Sequence, residues 1–175
     1  MTDILARLTM ELDRVMGRPP KDSSPQGLGT VRFIIDCPDD ASSVLERAKS
    51  VMAAVDSAAL QGWPSNNYAV PVLPEWFTSA CVPERSKEEE DQWLKWWRGL
   101  SYEEKLREGA EMKWSLSNWL YWLQPVNRQW FWWEASVQKG SNKIVLAVEV
   151  DGFPFPWEPL SWLFCAAGAA TVEEE

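Results

Sequence analysis

The sequence predicts an α+β fold: a small antiparallel sheet with helices packed on it. Three observations predict it. Runs near 31–37, 129–138 and 143–151 are rich in β-branched and aromatic residues and alternate in polarity. Stretches at 2–17, 41–60 and 115–124 instead place apolar residues three and four apart, the spacing of one helix face. The last two strands are separated only by a short loop around Lys139–Asn142, which suits a hairpin. The chain has 175 residues, enough for a single domain with its own core and no disulfide or metal support.

Taken in order, Ile4, Leu8, Leu12 and Val15 make the apolar stripe of the first helix, which Thr2 is placed to cap. Gly17 and the Pro19–Pro20 pair end it. Residues 18–29 (RPPKDSSPQGLG) read as a mobile linker. In the strand VRFIIDC, Val31, Phe33, Ile35 and Cys37 share a face. Asp39 and Asp40 then open a helix whose stripe is Val44, Ala48, Val51 and Val55, widened by Leu45 and Met52 and stopped at Gly62. Residues 63–85 are Pro-punctuated, with a short helix near Pro74 to Ala80.

Ser86 to Glu89 and Ser101 to Glu104 both match the capping-box pattern, so residues 86–124 read as a helical insertion of three helices. Pro125 stops the third. In the hairpin, alternation puts Phe131, Trp133, Ala135 and Val137 on one face and Ile144, Leu146, Val148 and Val150 on the same side of the next strand. The implied register sets Val137 against Ile144 and Trp133 against Val148. Gly152, Pro154 and Pro156 form a rigid turn whose aromatics plug the junction with a final helix from Trp157 to Ala167, stopped by Gly168. Residues 171–175 read as a fraying acidic tail.

Composition excludes several functions. The net charge is −9, and residues 129–175 alone carry two basic and seven acidic side chains. With no basic patch outside mixed-charge helices, the chain is not expected to bind nucleic acid or an anionic membrane. A basic protein or cationic ligand is the electrostatically matched partner. The three cysteines are dispersed and odd in number, and the N-terminus lacks a signal-peptide pattern; both suit a cytoplasmic protein. No histidine is present, which removes the His-dependent nucleophile triads and His-containing zinc sites. Gln26 to Gly29 lacks the phosphate-binding spacings. No cofactor is implied.

Thirteen tryptophans dominate the composition, nine of them between Trp93 and Trp133. Their first role is core: each buries roughly 200 Å², and together they would weld the helical insertion to the sheet. The candidate binding residues are those off the core stripes. Trp130 and Trp132 fall opposite Phe131 and Trp133, beside Glu134 and Glu149, while Trp96 and Trp122 sit at stripe edges. Such an aromatic–acidic face would suit a basic partner or a cationic small molecule, provided helices do not cover both sides of the sheet. Glu134 and Glu149, on neighbouring strands of one face, are also the only plausible carboxylate pair for glycosidic chemistry, the weakest of the three readings.

The segments NWLYW, QWFWWEA, LAVEVDGFPFPW and SWLFCAAGAA together resemble a group of small bacterial proteins of no known activity. Those close on a Trp-rich hairpin and a W-L-x-x-A-A-G-A helix. The resemblance covers about the last third of the chain. It implies a bacterial cytoplasmic protein and brings no activity, cofactor or site. The expected function is therefore non-enzymatic, through protein–protein contacts with a basic partner. Ligand binding on the Trp130/Trp132/Glu134/Glu149 face and a carboxylate-pair hydrolase are the alternatives.

Overall fold

The computed structural model describes residues 3–21, 23–64 and 73–175. Within them the elements run α1 (Ile4–Val15), β1 (Gly29–Asp36), α2 (Ala41–Leu60), α3 (Glu75–Ala80), α4 (Lys87–Gly99), α5 (Tyr102–Glu111), α6 (Leu116–Leu123), β2 (Trp130–Val137), β3 (Lys143–Val150), α7 (Glu158–Ala167) and β4 (Thr171–Glu174). The α+β class is as expected. The strands form one antiparallel sheet in the order β2-β3-β1-β4.

Local chemistry sets most boundaries. Asp3 and Asp40 cap α1 and α2 by accepting the Leu5 and Ser42 amides at 3.0 Å each. The Thr2 cap lies outside the described residues, as do residues 65–72 of the Pro-punctuated stretch and Asp22 of the linker. Both capping boxes form: Ser86 exchanges bonds with Glu89, and Ser101 with Glu104. Gly168 ends α7 in the left-handed region, at φ 118°.

The core is one large apolar cluster, with a smaller one of Leu8, Ala59 and Phe131 under α1. Phe33 and Ile35 of β1, Ile144, Leu146 and Val148 of β3, and Trp132 of β2 meet α2 through Val51 and Met52. They also meet α6 through Trp119 and α7 through Leu163 and Phe164. Phe155 of the Pro-rich turn is buried and edge-on to Phe33, so that turn does plug the junction, although Phe153 projects into solvent.

Three expectations are corrected. First, the core face of β2 is the one carrying Trp130 and Trp132, which are 1% and 2% exposed. Trp132, rather than Trp133, pairs with Val148, because a bulge at Trp133 inserts an extra residue; Val137 still opposes Ile144. The bulge restores the phase, so Ala135 and Val137 rejoin Trp132 against the core. Second, the acidic tail is strand β4. Val172, 9% exposed, opposite Ile35, fills the core, and Glu175 reaches Arg32 at 2.8 Å. A short strand rich in Glu is a protected edge. Third, the linker is pinned. The Gln26 and Gly27 amides donate to Glu149 and the Leu28 amide to the Val150 carbonyl, so these residues form a strap along β3.

Candidate functional site

The four sequence-derived candidates do not form a site. Trp130 and Trp132 are core residues, Trp132 stacking on Phe164 at 5.9 Å. Glu134 is exposed, whereas Glu149 is buried. One Glu149 oxygen accepts Arg7 at 2.8 Å and the amides of Gln26 and Gly27 at 2.9 and 2.8 Å. A carboxylate engaged in this way fastens the strap and α1 to β3. It presents no pair with Glu134 across a cleft.

What the structure does bring together is a pair of ionic clusters under α1. In the first, Arg7 spans Glu149 and Asp151 while its guanidinium lies 3.8 Å over the Phe131 ring. In the second, Arg128 reaches Asp56 at 2.9 Å and Glu11 at 2.5 Å, and donates to the Trp130 carbonyl at 3.2 Å. All three side chains are at most 1% exposed. Glu11 also accepts the Trp132 amide. Burial pushes the Glu11 carboxyl well above the usual glutamate range. Arg128 opposes that rise, the Asp56 charge adds to it and the Trp132 amide opposes it. Burial likewise raises Asp56 against the pull of Arg128. Sequence reasoning missed these residues, although Glu11 sits between Leu8 and Val15 of an apolar stripe, and Asp56 follows Met52 by one turn. A carboxylate inside an apolar row was the available signal; Arg128 offered none.

An accessible aromatic surface lies elsewhere, on α4 and α5. Neither helix contains a buried residue. The excursion is tied at its base, where Val82 bridges Ser115 and the Glu84 carboxylate takes the Ser117 amide at 2.9 Å and its hydroxyl at 2.5 Å. Beyond that point the chain forms an arm. Trp93 and Trp97 stack at 5.4 Å and 14°, and Trp96 leans on both at 6.4 and 6.2 Å. Arg85 covers Trp93 at 4.9 Å. Trp96 remains 47% exposed. On α5, Gly109 approaches Trp97, where an added Cβ would stand 3.8 Å from the ring. Tyr102 and Leu106 lie on the same helical face as Gly109 and are 76% and 58% exposed. The expected welding role thus holds for Trp119, which is buried and donates to the Pro159 carbonyl at 2.8 Å, and fails for the tryptophans of α4.

Among the described residues no group of acidic or cysteine side chains is arranged to hold a metal ion, and no helix is long and apolar enough to cross a membrane. No family model, curated protein or solved structure matches the chain.

Proposed function

We propose that this chain is a binding protein that engages a basic partner protein through the α4–α5 arm. The observation that carries this reading is the arm itself: two capped helices, anchored at their base, contain no buried residue yet hold three tryptophans in mutual contact. A helix that makes no core contact gains no folding stability from such costly aromatic exposure, whereas Trp and Tyr are favoured anchors of protein interfaces. Charge selects the partner. Residues 87–111 carry eight Asp and Glu against five Lys and Arg, within a chain of net charge −9. The molecule already uses the relevant chemistry internally, with Arg14 3.6 Å over Trp133 and Arg7 over Phe131. An arginine or lysine beside an apolar anchor on the partner would find Trp96 and nearby carboxylates open to it.

The test uses two immobilised baits, the native chain and a Trp96→Ala, Leu106→Ala variant. Because neither side chain is buried, the variant should unfold within about 2 °C of the native chain. Proteins retained by the native bait alone should be basic and should elute as salt rises. Binding of the retained partner should weaken at least about tenfold in the variant. Identical retention by both baits would sink the proposal. The ligand-binding and hydrolase readings have no comparable support, since Trp130 and Trp132 face the core and Glu149 is occupied by Arg7 and the strap.

A further inference from the structure

We infer that Glu11, Asp56 and Arg128 form a proton-controlled latch that holds α1 on the outer edge of β2.

β2 is an edge strand, and its outward backbone groups need partners. Side chains of α1 and the loop before β2 supply them. Glu11 accepts the Trp132 amide at 2.5 Å, Arg14 donates to the Trp133 carbonyl at 3.2 Å, and Arg128 donates to the Trp130 carbonyl at 3.2 Å. These side chains therefore stand in for the backbone partners of a further strand, at the bulge where pairing geometry is already irregular.

The charge balance makes this cover conditional. Arg128 stays protonated at any accessible pH. Two ionised carboxylates beside it give a buried cluster of net charge −1; one added proton makes it neutral. Enclosed net charge is heavily penalised. The atoms also ask for that proton, because Glu11 Oε2 and Asp56 Oδ2 are buried and find no donor among the described residues. A proton on either oxygen supplies one.

The surrounding charges do not replace it. From α1, Arg7 is committed to Glu149 and Asp151, and Arg14 to Trp133 and Ser23. From the sheet, Glu149 of β3 and Glu134 of β2 are further negative charges, both felt by Arg14. A cavity of about 10 Å³ lined by Arg7, Glu11, Arg14 and Glu149 has room for one water beside Glu11.

Both carboxyls titrate above their ordinary values, with burial the leading cause. The sign follows. The folded state holds the proton more tightly than the unfolded chain, so the latch is fully closed below about 4.5, the ordinary glutamate value, and loosens as pH rises through the raised value of Glu11. Opening would release the Trp132 amide and the Leu8–Phe131 contact together.

The test is amide hydrogen exchange of residues 130–133 from about pH 5 to about pH 9, corrected for the intrinsic rise in exchange with pH. In the native chain, protection at Trp132 should fall at least about tenfold over that range, while Leu146 and Val148 in β3 keep theirs. Glu11→Gln keeps a carbonyl for the Trp132 amide and adds an uncharged donor, so it should stay protected throughout. If Glu11→Gln fails to fold, Asp56→Asn removes the same excess charge and should flatten the profile equally. Constant protection in the native chain, or an unchanged pH profile in a folded neutral variant, would overturn the inference.

Discussion

Replacing Arg128 with methionine is expected to destabilise the fold by about 3–5 kcal/mol, lowering the unfolding midpoint by about 10 °C or more for a chain of this size. Methionine fills similar space but donates nothing. Glu11 and Asp56, both at most 1% exposed, would lose their shared cation, and the Trp130 carbonyl would lose its donor. The loss should depend on pH. Without Arg128 both carboxyls need protons, so the deficit should be smallest below about 4.5 and widen as pH rises through the raised values of Glu11 and Asp56. Adding Glu11→Gln to the variant should recover part of the loss, because only Asp56 then remains uncompensated; the two substitutions should be non-additive. Thermal unfolding at about pH 4 and pH 7 for the four chains of this cycle measures both effects. A pH-independent loss below about 1 kcal/mol would mean that the cluster contributes little.

That cluster illustrates what the sequence shows and what it hides. Signals confined to a few neighbouring residues were legible. The Ser86/Glu89 and Ser101/Glu104 boxes, the Gly168 stop and the three predicted strands all form within a residue or two of their expected places. Signals that need a partner far along the chain were not. Glu11 is 117 residues from Arg128, and nothing local marks either as a member of one triad. β4 was hidden for the same reason: three glutamates suggest a solvated tail, and only Ile35 opposite Val172 turns them into an edge.

The hairpin failed differently. In WFWWEASV four consecutive aromatics give alternation no contrast, so the phase of Ala135 and Val137 points back to Trp133 and Phe131. One bulged residue reverses that phase, and with it the candidate site. Trp130 and Trp132 are core, while Trp96, read at the edge of its helix stripe, is 47% exposed. The predicted insertion was thus legible in its helices and not in its packing, because a stripe of Trp93, Trp97 and Leu100 looks the same whether it meets a core or its own neighbours.

Gly27→Ala should be the most damaging substitution in the segment first read as a linker, with a loss of about 3 kcal/mol. The added Cβ would stand 2.2 Å from the Val150 carbonyl oxygen and 2.9 Å from its carbon. That carbonyl cannot yield, because Val150 is paired on both sides, with Gly29 of β1 and Trp130 of β2. The strap must move instead. In moving it gives up the Gln26 and Gly27 amides on Glu149 and the Leu28 amide on Val150. Glu149 is then left buried with Arg7 as its donor. The measurement is urea unfolding of Gly27→Ala, Glu149→Gln and the double variant. Each single change should be costly, and Glu149→Gln should cost clearly less once the strap has already moved. An unaltered midpoint for Gly27→Ala would show that the strap rides loosely on β3. Strict additivity would show that Glu149 does not hold it.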